Sequence, residues 1–332
     1  MQASASSSAA RRKKAVLAIL LVTFFWGWTF IWMKQAVNAS GRILGPAGST
    51  AGVGLFMTLR FGLAAALLAA WPAARRGLDA GAWRAGLLLG ALLLAGFLFQ
   101  MAGLEGVSPA VSAFLTSLYV IFTAALLWMR TRRPVGGWLA LGAALSTFGA
   151  GFIGGPPQLS FGRDEWLTVG CAFLFALHIL YTDVLTRRHE PLAITLTSFL
   201  VVFAGSVATT MLGMRIQSGP DLSALLELLR AADFALPLLL SAVLATAVAI
   251  TLMNVFQREL DPVRAAILYA VEPVWASLIA LAIGLAVADR WLWIGGGALL
   301  AGNLVAELGP LAEGRRKALA LRAETDGSQR GA

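Results

Sequence analysis

Ten apolar stretches, each long enough to cross a bilayer, limit what this chain can fold into. A spanning helix needs about 20 mostly apolar residues, and such stretches fall at 15–36, 52–71, 85–104, 108–129, 135–154, 165–186, 191–212, 234–256, 262–286 and 291–308. Charged, Pro and Gly clusters separate them: Pro72 with Arg75-Arg76, Arg130 to Pro134, Gly154 to Pro157, and Arg187 to Pro191. Such clusters cannot lie against lipid without leaving polar groups unpaired. Composition points the same way. The chain is 58% hydrophobic and 13% charged, against roughly 45–50% and 25% in soluble domains. An ordinary soluble domain and a disordered chain are both excluded. The fold class is all-α integral membrane, with ten transmembrane helices. The first stretch is too long and too aromatic for a cleaved signal peptide, and no small-residue cleavage site follows it. The basic tail 1–14 and the tail 309–332 are short, polar and expected to be disordered. Within the longest loop, 213–233, Leu222, Leu225, Leu226 and Leu229 recur at helical spacing. They fit either a short amphipathic helix on the membrane surface or a solvated loop helix.

The net charge of +9 is a topology signal. If the N-terminus is cytoplasmic, 19 of the 26 Lys and Arg residues fall on the inner side and six on the outer side, with Arg60 alone inside a span. Cytoplasmic loops collect Lys and Arg, so both termini are expected in the cytoplasm, which requires an even number of spans. Nucleic acid is not an expected partner, because the excess sits at membrane edges.

Cofactor and metal chemistry finds little support. One cysteine, Cys171, excludes an internal disulfide and a Cys-based cluster, and His178 and His189 are too few for a histidine-rich metal site. No G-x-x-x-x-G-K-[ST] run occurs, which argues against ATP-driven pumping by this chain.

The chain repeats itself at an offset of 153 residues. Pro109 meets Pro262, Trp138 meets Trp291, Gly142 meets Gly295 and Gly149 meets Gly302, all in one gapless register. Each glycine pair is separated by seven residues, two helical turns, so both lie on one helix face where a neighbour can pack closely. The halves are a first five-helix repeat at 15–154 and a second at 165–308. Five is odd, so the two must be inverted relative to each other. Inverted repeats are a recurring plan of secondary transporters, with the substrate site between the halves.

Several short motifs carry a resemblance. They are Phe25-Trp26-Gly27-Trp28-Thr29-Phe30 followed by Lys34, Leu59-Arg60-Phe61, Ala113 to Tyr119, Val271-Glu272-Pro273-Val274, and Gly295 to Gly302. In that order and in those spans the chain resembles the drug/metabolite transporter superfamily, EamA type, over about residues 15–308. The resemblance implies a secondary active transporter of a small metabolite, amino acid or drug, working outward by alternating access with proton coupling. It also implies a bacterial cytoplasmic membrane location, no cofactor, a monomer or homodimer, and a central cavity lined by helices one, three, four, six, eight and nine. One departure stands out. The family commonly ends its ninth span in Gly-Glu, and this chain has Ala288-Asp289.

Glu272 is the one acid deep inside a span. A lone ionised carboxylate in hydrocarbon is costly, so it is protonated, paired or facing water. It is either a substrate or proton-coupling group or an anchor for a helix that Pro273 breaks by removing a backbone donor. Arg60 is the one base deep inside a span. It can pair with Glu272, bind an anionic group or reach the outer headgroups, and a structural tie is the favoured role. Trp26, Trp28 and Trp32 line one span, with Trp28 and Trp32 on one face. Trp32 is a candidate for the outer interfacial belt. Gln100, Thr116, Tyr119, His178, Asn254, Tyr269 and Asn303 are further polar groups in spans. Most such groups tie helix to helix. The implied cavity singles out Tyr119, His178, Asn254 and Tyr269. Tyr119 is repeat-equivalent to Glu272, so both are expected at the interface between halves. The candidate substrate or coupling set is Glu272, Arg60, Tyr119, Tyr269, Asn254, His178, Trp26 and Thr116. The structural set is Pro273, Gly27, Gly142, Gly149, Gly295 and Gly302. The competing reading, a membrane enzyme acting on lipid or isoprenoid substrates, would need clustered His, Asp or Glu near one membrane face; no such cluster stands out. A scaffold or sensor without solute flux is the third reading.

Overall fold

The computed structural model describes residues 2–132, 135–152, 156, 161–216, 222–284 and 289–330, and these are helical but for short connections. Among them, nine helices are long and apolar enough to cross a membrane: span 1 Arg11–Gly45, span 2 Thr50–Ala70, span 3 Ala80–Gly103, span 4 Pro109–Thr131, span 6 Arg163–Thr186, span 7 Pro191–Arg215, span 8 Ala232–Glu259, span 9 Pro262–Ala282 and span 10 Arg290–Pro310. Span 5, Gly137–Phe152, is apolar but shorter. The chain is thus ten helices in two five-helix repeats of opposite orientation.

The connections follow from local chemistry. Spans 1 and 2 run together except at Gly45, whose φ of 73° only glycine adopts freely. Span 3 starts at Asp79, which accepts from the Ala82 nitrogen at 2.7 Å. Spans 4 and 9 open alike: Ser108 and Asp261 cap the first turn, and Pro109 and Pro262 follow at its first position, where a missing N–H costs nothing. Asp289 accepts from the Leu292 nitrogen at 2.9 Å, so the shorter acid of Ala288-Asp289 still caps span 10.

Two breaks are related by the repeat. Span 4 divides into Pro109–Ser117 and Tyr119–Thr131, and span 9 into Pro262–Tyr269 and Glu272–Ala282. The breaks sit at Leu118 and Val271, 153 residues apart. Pro273 explains the second, because it cannot donate to the upstream turn. Span 8 carries a wider irregularity, a π-helix at Ser241–Val248 downstream of Pro237.

Spans 5 and 10 pack through the repeated glycines. A methyl group added at Gly142 would lie 2.7 Å from the Ala306 Cβ, and one at Gly302 would lie 2.6 Å from the Ser146 nitrogen. One at Gly149 would press on the Leu299 nitrogen and lie 2.5 Å from the Gly295 oxygen. Gly27 likewise lets span 1 approach the second half of span 9, at 2.6 Å from the Trp275 Cβ.

Two expectations need correction, and a third holds in part. The tails, expected to be disordered, are helical: helix begins at Gln2 and continues to Arg330, and runs such as Lys317 to Glu324 are rich in strong helix formers. Trp32 is not at an outer belt; it is buried and stacks on Trp28 at 5.6 Å. The loop helix forms at Leu222–Arg230, but its inward face is Leu225 and Leu228, both buried, while Leu226 is exposed. Residues 153–155, expected at the end of span 5, lie outside the described residues.

Candidate functional site

A partly open cavity lies between the repeats, with about 610 Å³ of space free of protein atoms when the open solvent at its mouth is included. Its wall is drawn from spans 1, 3, 4, 6, 8 and 9, and none of its lining residues comes from spans 2, 5, 7 or 10. The lining residues follow the repeat. Trp26 and Ile179, Phe97 and Ile250, Gln100 and Met253, Thr116 and Tyr269, and Tyr119 and Glu272 are all 153 residues apart, and all ten line the cavity. The repeat axis therefore runs through it. Position is symmetric, but chemistry is not: the second repeat supplies the one carboxylate.

Both helix breaks open onto this space. Tyr119 and Glu272 begin the second half-helices of spans 4 and 9. Glu272 is 8% exposed and lines the cavity. Among the described residues, no hydrogen bond or ion pair reaches its carboxylate. The Tyr119 hydroxyl is buried, also without a hydrogen-bond partner among the described residues. Other groups are held in place. Gln100 Nε2 donates to Thr116 Oγ1 at 3.2 Å. Tyr269 donates to Gln257 Oε1 at 2.9 Å, and Gln257 Nε2 donates to the Ile179 oxygen at 2.7 Å. His178 Nδ1 and Thr182 Oγ1 are 3.4 Å apart. Trp26 Nε1 donates to the Ala245 oxygen in the π-helix at 3.1 Å, and its ring lies 5.4 Å from that of Tyr269. Thr29, Phe30, Leu93 and Phe175 complete the wall.

The structure thus brings together Trp26, Thr116, Tyr119, His178, Tyr269 and Glu272. Two candidates are elsewhere. Asn254 is buried away from the cavity and donates to Thr195 Oγ1 at 2.8 Å, tying span 8 to span 7. Arg60 does not pair with Glu272 and does not reach headgroups, being fully buried. Its Nε donates to Thr246 Oγ1 at 2.6 Å, an Nη approaches the Met33 sulfur at 3.5 Å, and its guanidinium carbon lies 4.5 Å from the centre of the Phe97 ring and 5.5 Å from that of Phe61. Ring faces substitute for a carboxylate here: a desolvated cation over an aromatic ring gains about 2 kcal/mol. Phe97 lines the cavity and its ring also packs on the Arg60 guanidinium, which does not itself line the cavity. Phe30, Phe97 and Phe175 carry no polar atom to set them apart from the other aromatic residues of the spans, whereas shifting Trp26 by 153 marks Ile179 as a wall residue.

This packing makes a prediction. Removing one member of a buried ion pair typically costs about 3–5 kcal/mol, but Arg60 leaves no charge stranded. Arg60→Met is expected to keep an apparent unfolding temperature close to or above that of the unaltered protein, measured in detergent. Arg60→Ala is expected to lower it, because it leaves a void among Met33, Phe61 and Phe97. A large loss in Arg60→Met would contradict an unpaired guanidinium.

Among the described residues, no three His, Cys, Asp or Glu side chains converge as metal ligands would. The cavity offers instead one carboxylate, one imidazole, hydroxyls and rings, suited to binding and to proton exchange.

No curated protein matches this chain. One solved structure, described only as the crystal structure of a protein, is similar at 16% identity and a TM-score of 0.66, over 89% of this chain and 97% of that one; it shows the fold alone. The sequence profile of the EamA-like transporter family matches residues 13–155 and 164–307, one match per repeat. With nearly the whole membrane-spanning region covered by the two matches, this chain belongs to the EamA-like transporter family.

Proposed function

We propose that the chain is a secondary active transporter that carries a small solute through this cavity by alternating access, outward across a bacterial cytoplasmic membrane, in exchange for protons. The observation that carries the reading is Glu272: a carboxylate without a hydrogen bond or ion pair among the described residues, at a helix break, in a cavity walled by both repeats. A carboxylate so placed must be protonated, hydrated or paired with what enters. Its charge is thus linked to occupancy, and either proton or solute can bias which side the repeats open to. The two half-helices supply flexible points at Leu118 and Val271, and the π-helix gives span 8 a third. Spans 5 and 10, locked through glycine, form a rigid flank against which the others can move. Both termini lie in the cytoplasm on this reading, from the Lys and Arg bias.

The test is flux in proteoliposomes enclosing a pH-sensitive dye, screened against metabolites, amino acids and drugs. At least one solute is expected to drive a proton movement absent from protein-free vesicles. Solute flux without proton movement would overturn the coupling, and no flux for any solute would overturn transport.

A further inference from the structure

We propose that the cavity takes an organic cation with an aromatic or similarly apolar body. Its positive group sits between the Glu272 carboxylate and the Tyr119 hydroxyl, and its body lies against the rings of Trp26, Phe30 and Phe175. The inference rests on reading this cavity as the substrate site and adds the class of substrate.

Four observations lead to it. The cavity wall contains one acid and no Lys or Arg, so its formal charge is negative when Glu272 is ionised. The Glu272 carboxylate makes no hydrogen bond or ion pair, and the Tyr119 hydroxyl no hydrogen bond, among the described residues. The two are repeat-equivalent, at the starts of the second half-helices. The rest of the wall is largely aromatic and aliphatic, with Trp26 and Phe30 from span 1, Phe175 from span 6 and Tyr269 from span 9. A carboxylate beside several ring faces is the chemistry that recognises an ammonium group, because each ring presents a negative face to it. An anion would instead meet the carboxylate, with the single imidazole of His178, placed against Thr182, as the one basic side chain in the wall. Arg60, the one deep Lys or Arg, packs on the Phe97 ring with its own contacts to Thr246 and Met33 and does not line the cavity. The helix break does not reverse this balance. It offers the carbonyl end of Pro262–Tyr269 as well as the amide end of Glu272–Ala282, and these partial charges oppose each other.

The experiment is isothermal titration calorimetry on the full purified chain in detergent, with four probes that share a phenyl body. They are trimethyl(2-phenylethyl)ammonium, 3-phenylpropionate, N-(2-phenylethyl)acetamide and phenylalanine. The ammonium is expected to bind saturably and tightest. Glu272→Gln is expected to raise its Kd by about thirtyfold, as for truncating one partner of a desolvated charge pair, while Glu272→Asp retains binding. Tyr119→Phe, which removes a single oxygen, is expected to weaken binding several-fold and guards against a Glu272 variant that does not fold. Tighter binding of propionate or phenylalanine would overturn the proposal, since the site would then favour a carboxylate over an ammonium group. Equal Kd values in Glu272→Gln and the unaltered protein, or no binding by the ammonium, would overturn it too. Binding is read without flux, so the two readings fail separately. A cation that binds but is never carried removes transport and leaves the site. Another solute carried without cation binding removes this inference alone.

Discussion

Glu272→Gln is expected to abolish pH-driven accumulation while leaving solute exchange at equal pH. Each pH unit of gradient supplies about 1.4 kcal/mol per proton, a factor of about ten. A transporter exchanging one proton per solute therefore concentrates its solute about tenfold per pH unit, and the variant should settle at a ratio near one. The reasoning is local. Glutamine matches glutamate in shape, so it keeps the start of Glu272–Ala282 and the wall of the cavity, but it cannot change its charge. No hydrogen bond or ion pair to the Glu272 carboxylate is lost among the described residues, so folding should be spared. The measurement is solute accumulation in proteoliposomes under an imposed gradient, with exchange assayed at a solute concentration raised enough to offset weaker binding. Concentrative uptake by a folded Glu272→Gln would remove Glu272 from coupling. Loss of both exchange and accumulation at saturating solute would make it a structural anchor instead.

The largest effect on stability is expected at Gly149. An added methyl group there meets the Leu299 nitrogen and the Gly295 oxygen. Both belong to backbone that is fixed by its own helix, so the spans must separate. Overpacking in a filled interior costs about 1–3 kcal/mol and sometimes more. Gly149→Ala is expected at the upper end of that range, and Gly149→Leu is expected to prevent recovery of folded, monodisperse protein. Gly170→Ala is the control. Gly170 lies within span 6 with nothing within 4 Å of an added methyl group, so the change should be neutral or favourable by up to about 1 kcal/mol from helix propensity. Apparent unfolding temperatures in detergent check the pair. Similar values for the two alanine variants would mean that spans 5 and 10 do not touch at Gly149. Neither glycine lines the cavity, so any solute binding by a folded Gly149→Ala should be unchanged.

Much of the fold was legible because its causes are local. Length and hydropathy mark a span wherever about 20 apolar residues run together, and Pro109 and Pro262 mark two helix starts outright. The break in span 9 was legible from Pro273. The break in span 4 was not, because Leu118 carries no proline; it shows only in the structure, 153 residues before Val271. The π-helix at Ser241–Val248 was hidden for a similar reason, since Ser-Ala-Val-Leu-Ala-Thr-Ala-Val is also good α-helix sequence. For the site, the sequence named Glu272, Tyr119, Thr116, Tyr269, His178 and Trp26 as candidates but also Asn254 and Arg60. Polarity within a span cannot tell a residue that faces a cavity from one that faces a neighbour. Asn254 turns to Thr195 and Arg60 turns to Thr246.

By itself, the sequence determined that the chain crosses a membrane ten times, that it does so as two halves, and that its positive charges mark one side. Each depends on residues close in the chain or on a fixed offset along it. Only the tertiary structure decided which polar groups meet across spans, that Arg60 packs on Phe97 rather than lining the cavity, and that Glu272 and Tyr119 face the same space. Those outcomes depend on how six helices rotate about their axes when they pack, and that rotation is set by the sum of many side-chain contacts from both halves at once.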